Sequence, residues 1–134
     1  MTEHLQDFTG TEGAGALPAL LGIDISQCSV DRVVGSMPVD GNTQVQGVLH
    51  GGASLVLAET LGGAGASMHA GPGRIGVGIE INATHHRAAR GGRVTGVATP
   101  VHLGRTLATY EVVITDPADR RVCTARITCF LRDL

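Results

Sequence analysis

The most continuous run of small and hydrophobic residues lies in the middle of the chain, between residues 46 and 68. From Ala53 onward it contains almost only small or aliphatic residues and no proline. Its length and its apolar character on every side predict a long, buried helix. Gly52, Gly62, Gly63 and Gly65 lie in the predicted helix, and an interior glycine costs a helix about 0.5–1 kcal/mol relative to alanine. We therefore expect other backbone to approach this helix closely.

Shorter patterns predict strands on both sides of the helix. Residues 1–15 are polar and rich in glycine and threonine, so we expect a flexible segment there, followed by a helical turn at 17–21. Alternating apolar and polar residues predict two strands before the helix, at 23–30 and 32–39, and four after it, at 75–85, 93–102, 106–115 and 122–131. In the strand at 75–85, a period of two places every odd-numbered residue from Ile75 to His85 on one face.

The turns between the predicted strands are short, which indicates antiparallel neighbours. A curved antiparallel sheet of about six strands, wrapped around the one long helix, is the simplest arrangement that buries this helix. The sequence therefore predicts an α+β fold with a single domain at residues 16–134.

Composition removes several functional classes. A net charge of −2, with one tyrosine, two phenylalanines and no tryptophan, argues against a nucleic-acid-binding protein. The pattern of a membrane span or a secretory signal is not found, so we expect a cytoplasmic protein that does not bind membranes. Three cysteines without a Cys-x-x-Cys spacing do not indicate a disulfide framework or a zinc knuckle. All ten Lys or Arg residues are arginines, which excludes a lysine nucleophile.

The groups that suggest chemistry lie around the predicted helix. Glu59 is the only acidic or basic residue between Ala53 and Met68, and it either reaches solvent or serves the function of the protein. A helix N-terminus leaves backbone N–H donors free and carries a partial positive charge, which suits a developing oxyanion. Gly51 and Gly52 would let a substrate carbonyl approach those donors.

The spacing of these groups predicts a dimer. Glu59 follows Gly51 by eight residues, so the two lie about 12 Å apart along the helix axis and roughly 80° around it. A carboxylate and an oxyanion hole both have to reach one reacting carbon. One helix does not supply both groups to one site, whereas two antiparallel helices do. We therefore expect a homodimer with two shared sites.

Residues 47–60, Gly-Val-Leu-His-Gly-Gly-Ala-Ser-Leu-Val-Leu-Ala-Glu-Thr, resemble the helix signature of hotdog-fold acyl-CoA thioesterases. The resemblance is to the PaaI-type, Arthrobacter-type 4-hydroxybenzoyl-CoA and 1,4-dihydroxy-2-naphthoyl-CoA branch, and it continues through residues 79–85 and 102–105. It implies a hotdog fold and hydrolysis of an acyl-CoA, with an aromatic acyl group favoured, to the free acid and CoA. It also implies a homodimer at least, and a homotetramer as in most relatives. No cofactor is implied, because CoA is part of the substrate.

The same resemblance assigns catalytic roles. Glu59 matches the catalytic carboxylate, which acts as nucleophile or as general base on water. Gly51 matches the residue whose N–H binds the thioester oxygen. His50 and Gln44 match polar residues that orient the thioester or the water, and Gln46 is an alternative to Gln44 because the loop register is open.

Other residues are candidates for substrate binding. Gly52 belongs to the helix entrance, and Gly63 stands where some relatives have Ser or Thr, which leaves the acyl group open. His85 either lines the acyl pocket or is a core histidine. No metal site is expected, because His85 and His86 are neighbours on a strand and point to opposite faces. The arginines that would hold the CoA phosphates are Arg87, Arg90 and Arg105.

Two other functions stay open. The chain could be a hydratase or dehydratase of acyl thioesters, although the spacing from His-Gly-Gly to the glutamate favours hydrolysis. It could also be an acyl-CoA-binding domain without catalysis, against which the presence of Glu59 argues.

Overall fold

The computed structural model describes residues 7–11 and 13–134, and it confirms the predicted α+β fold. The helices in this part of the chain are α1 (Ala16–Leu20) and α2 (Gly51–Ala70). The strands are β1 (Asp24–Cys28), β2 (Val33–Pro38), β3 (Arg74–His85), β4 (Arg93–Leu103), β5 (Leu107–Thr115) and β6 (Arg121–Asp133). Residues 1–6 and 12 of the predicted flexible segment lie outside the described residues.

One antiparallel sheet contains these strands, in the order β1-β2-β4-β5-β6-β3. β4, β5 and β6 follow each other as hairpins, while β1 and β3 form the two edges. α2 packs across one face of the sheet and contacts every strand from β1 to β6. Within the described residues, no helix is long and apolar enough to cross a membrane.

Two glycines let α2 lie directly against the sheet. A Cβ atom at Gly65 would come within 2.7 Å of the ring of Tyr110, and one at Gly62 would collide with Ile127. These contacts are the close approach that the glycines of the helix predict. Gly63 differs, because a Cβ atom there would meet no described atom within 4 Å.

The strands accommodate the helix in the same way. Leu61 of α2 is fully buried and lies over Gly35 of β2 and Gly96 of β4. A Cβ atom at either glycine would lie 2.7 Å from a methyl group of Leu61. Large side chains of the sheet therefore face glycines of the helix, and a large side chain of the helix faces glycines of the sheet. This arrangement lets the helix and the sheet pack closely.

The prediction that α2 is buried on every side is wrong. Gly52 and Glu59 are exposed, and Val56 and Gly63 are only half-buried. These residues recur every three or four positions, so they form one stripe on the side of the helix away from the sheet. The sequence does not reveal which side of the helix is exposed, because small residues occur both on the exposed stripe and on the buried side.

β3 also departs from its predicted pattern. A β-bulge between Gly78 and Glu80 shifts its pairing with β6. Before the bulge, Val77 pairs with the exposed Phe130, and after it Ile81 pairs with the buried Ile127. The prediction of one continuous apolar face from residue 75 to residue 85 is therefore wrong, because the extra residue moves the two halves of the strand to opposite faces.

Replacing Gly62 with alanine should destabilise the protein by about 1–3 kcal/mol, because the added methyl group overpacks the contact with Ile127. Gly63→Ala is the matched control, since its methyl group enters open space and alanine favours the helix by about 0.5–1 kcal/mol. Urea denaturation measures the free energy of unfolding of both variants. An equal loss in the two variants would contradict close packing at Gly62.

Candidate active site

His50 caps the N-terminus of α2. Its backbone is extended, with ψ at 130°, and its ring Nδ1 accepts a hydrogen bond from the N–H of Gly52 at 2.8 Å. The N–H groups of Ala53 and Ser54 reach the carbonyl oxygen of His50. Among the described residues, the N–H of Gly51 has no acceptor. It is thus the donor of the first turn that stays open to a ligand.

The loop before α2 places Gln44, rather than Gln46, beside this N-terminus. The side-chain amide of Asn42 donates to two backbone carbonyls, at 2.7 and 2.9 Å. The backbone carbonyl of Asn42 accepts a hydrogen bond from the N–H of His50 at 2.9 Å. With the loop held in this way, Gln44 is half-buried and lines a cavity at the helix entrance. Gln46 is exposed and donates its backbone N–H to the side-chain oxygen of Gln44.

That cavity has a volume of about 370 Å³, and its lining residues include Gln44, Gly51, Ser54, His85 and Arg87. The imidazole of His85 lies against the start of the helix, where its Nε2 would be 2.9 Å from a Cβ atom at Gly51. His85 is exposed, so it is a cavity-lining residue and not a core histidine. Glycine at position 51 is what leaves room for this ring.

A second cavity of about 400 Å³ adjoins the first and is basic. The two cavities share Arg87 and Ala88, and the second one adds Arg90 and Arg120. The carboxylate of Asp116 accepts hydrogen bonds from the backbone N–H and the Nε of Arg120, both at 2.9 Å. The bond from the Arg120 backbone lowers the pKa of Asp116, although burial opposes this change. Asp116 therefore stays ionised and holds Arg120 in place.

Arg120, which was not among the predicted arginines, lines this cavity, whereas Arg105 lies apart from Arg87 and Arg90 within one chain. The turn at 116–119 looks ordinary by composition, and only the pairing of Asp116 with an arginine four residues later hints at a fixed guanidinium group. Arg105 lies between β4 and β5, near the other end of α2, where His69 Nε2 contacts the carbonyl oxygen of Gly104 at 2.7 Å. Within one chain, Arg87 and Arg90 are brought together and Arg105 is not.

Glu59 lies on the exposed stripe of α2, away from the helix entrance. Its Oε1 faces β3, where a Cβ atom at Gly78 would be 3.1 Å away. Glu59 lines a third cavity, of about 540 Å³, together with Gly63 and the N-terminal residue Phe8. In one chain, Gly51 and Glu59 therefore line separate cavities, in agreement with their spacing along the helix.

The cysteines are not suited to nucleophilic chemistry. Burial, with a smaller contribution from the carboxylate of Glu59, raises the pKa of Cys129 to about 11. Burial also raises the pKa of Cys28 and Cys123, so all three thiols stay protonated near neutral pH. In residues 7–11 and 13–134, no three His, Cys, Asp or Glu side chains come together as metal ligands would.

The sequence matches one protein family and individual proteins of known name. Residues 46–123, more than half of the chain, match the family model of the Thioesterase superfamily. The proofreading thioesterase EntH of Cronobacter turicensis is 46% identical over 115 residues, which cover 85% of this chain and 84% of that protein. Its counterpart from Cronobacter sakazakii is 45% identical over the same length.

Solved structures agree with these matches. A thioesterase from Haemophilus influenzae superposes with a TM-score of 0.88 at 37% identity, covering 93% of this chain and 88% of its own. A hypothetical thioesterase from Streptococcus pneumoniae, solved with coenzyme A, has a TM-score of 0.78 at 26% identity and covers 88% and 91%. By sequence and by fold, the chain belongs to the thioesterase superfamily and is a hotdog-fold enzyme that hydrolyses thioesters.

Proposed function

We propose that this thioesterase hydrolyses an acyl-CoA, with an aromatic acyl group favoured, to the free acid and CoA. The observation that carries the proposal is the free N–H of Gly51 at the start of α2, with Gln44 and His85 beside it. A donor at the positive end of a long helix stabilises the oxyanion that forms when a thioester carbonyl is attacked. CoA as the thiol is supported by the adjoining basic cavity and by the coenzyme A bound to the Streptococcus pneumoniae protein.

The functional unit we propose is a dimer formed through β3. Within the part of the chain that the structure describes, this strand pairs only with β6, and it carries two exposed apolar side chains, Val77 at 42% and Ile79 at 59%. An open edge of this kind offers its backbone groups to another copy of the strand. A two-fold axis at this edge would continue the sheet and bring the two α2 helices together, antiparallel, along the stripe that contains Glu59. Two such dimers would form the homotetramer.

Each active site then combines Gly51 of one subunit with Glu59 of the other. The carboxylate attacks the thioester carbon, or it removes a proton from a water that attacks it. The carbonyl oxygen becomes negative and accepts a hydrogen bond from the N–H of Gly51. The C–S bond breaks and CoA leaves as the thiolate, which takes up a proton. If Glu59 itself attacks the thioester carbon, water afterwards hydrolyses the anhydride between the acyl group and Glu59.

His50 and Gln44 orient the reactants in this mechanism. The Nδ1 atom of His50 is occupied by the N–H of Gly52, so its Nε2 atom is the one that can face the thioester or the water. Gln44 lines the same cavity as Gly51, and its side-chain N–H₂ group is the part that can donate to the substrate.

The two adjoining cavities indicate how CoA would lie on the protein. With the thioester at Gly51, the pantetheine arm would pass Arg87, which both cavities share. The phosphates would then lie at Arg90 and Arg120, because planar guanidinium groups match phosphate oxygens. Arg105 would reach CoA only from another subunit, since it lies at the far end of α2.

Replacing Glu59 with glutamine should lower kcat by about 10²–10⁴-fold and leave KM nearly unchanged, because the amide neither attacks nor accepts a proton. Thiol release from benzoyl-, hydroxybenzoyl-, phenylacetyl- and straight-chain acyl-CoA measures this effect and identifies the preferred acyl group. Glu111→Gln on the opposite face of the sheet is the control. An unchanged rate in Glu59→Gln would rule out the mechanism, and the absence of thiol release from every ester by the unaltered protein would contradict an acyl-CoA substrate.

Two inactive variants should restore each other if the sites are shared between subunits. Gly51→Pro removes the oxyanion donor at the first helix position, where the backbone tolerates proline and the exposed ring of His85 has to move aside. Glu59→Gln removes the carboxylate. Random mixing in equal amounts should recover about a quarter of the unaltered activity, because half of the dimers are mixed and each has one intact site. Co-expression followed by the thiol assay tests this. Activity no higher than that of either variant alone would contradict the shared site.

Arg90→Ala and Arg120→Ala should raise KM for an acyl-CoA by roughly 10-fold each, because each removes a phosphate partner. The same acyl group on pantetheine, which lacks the nucleotide, should show no such change. Arg32→Ala, in the turn between β1 and β2, is the matched control. Equal losses with the CoA and pantetheine esters would mean that these arginines do not bind the nucleotide.

A further inference from the structure

We infer that the N-terminal segment formed by residues 7–11 and 13–15 is one wall of the acyl cavity and limits the size of an uncharged acyl group. This inference rests on the proposed function. The cavity of about 540 Å³ beside Glu59 is bounded on one side by Thr60 and Gly63 of α2 and on the other by Phe8, Gly13 and Ala14. The catalytic carboxylate and the N-terminal segment therefore share one space.

The segment is held firmly against the rest of the protein. Phe8 is only 9% exposed and belongs to the hydrophobic core. Gly10 pairs with Ile25 of β1 through two backbone hydrogen bonds, of 2.9 and 3.0 Å, so it extends the sheet edge. Gly13 folds back on the start of the segment, where a Cβ atom would lie 2.6 Å from the carbonyl oxygen of Asp7. A wall that is attached at two points, Phe8 and Gly10, and folded back on itself at Gly13 can restrict what enters the cavity.

The lining indicates what kind of group the cavity takes. Among the described residues that line it, Glu59 is the only ionisable one. The hydroxyl of Thr60 donates to the carbonyl oxygen of Val56 at 2.7 Å, and Ser67 Oγ accepts the N–H of Gly76 at 3.1 Å. An anionic group would lie beside the Glu59 carboxylate with no cation to pair with, so the cavity suits an uncharged acyl group. The basic cavity at the other end suits the CoA phosphates instead.

The size of the cavity is set by small residues. A Cβ atom at Gly63 would meet no described atom within 4 Å, so the absence of a side chain there adds usable space. The opposite wall presents Ala14 between two glycines, and Phe8 is its one large side chain. A larger residue at position 14 would shorten the cavity, and a smaller one at position 8 would lengthen it.

The test is the profile of kcat/KM over a series of acyl-CoA esters, from acetyl to dodecanoyl and from benzoyl to naphthoyl. Ala14→Leu should lower kcat/KM for the largest accepted group by about 10-fold or more relative to acetyl-CoA, because a few methyl groups decide entry. Phe8→Ala should shift the profile towards larger groups. Leu20→Ala on α1, where Leu20 is 82% exposed, is the control and should leave the profile unchanged.

The outcomes separate this inference from the proposed function. If the unaltered protein releases thiol but Ala14→Leu has the same kcat/KM profile, the inference that the N-terminal segment limits the acyl group is wrong. The proposed activity then stands. If no acyl-CoA releases thiol, the proposed function fails first. Phe8→Ala removes a core side chain, so its thermal unfolding is measured in parallel, and Ala14→Leu decides the question if Phe8→Ala does not fold.

Discussion

The close contact between α2 and the sheet determines where the active-site groups lie. Leu61 lies over Gly35 and Gly96, and Gly65 lies against Tyr110, so the helix has one rotational setting at which it packs. Glu59 precedes Leu61 by two residues, which places it about 200° around the helix. The setting that buries Leu61 therefore turns the carboxylate outward. The exposed charge is a consequence of core packing and does not need a separate constraint.

The same helix makes the chemistry depend on assembly. Its first turn provides an oxyanion donor at Gly51, and its third turn provides the carboxylate at Glu59, but the two line separate cavities in one chain. A helix is rigid, so no local movement brings them to one carbon. In the proposed dimer, catalysis requires the second subunit, and any change that weakens the β3 edge would reduce activity together with association.

Strong patterns in the sequence predict most of the fold. The helix follows from its apolar run, the strands from their alternation, and Glu59 from being the one charge in that run. Other features depend on single residues that periodicity does not reveal. The bulge at Ile79 moves the side chains of the two halves of β3 to opposite faces of the sheet. The guanidinium group of Arg120 is fixed by a hydrogen bond to Asp116, which only the three-dimensional structure shows. Phe8 lies in a segment that is polar by composition, so its burial was not predicted.

The distribution of charge orients the substrate in the proposed mechanism. Three arginines line the cavity that continues from the start of α2, whereas the cavity beside Glu59 has no cation among its described lining residues. A thioester that joins an anionic nucleotide to an uncharged acyl group fits these two environments in one direction only. The bond between the two parts then has to lie where the environments meet. In the dimer, that is the position between Gly51 of one subunit and the carboxylate of the other, so electrostatics and backbone geometry select the same carbon for attack.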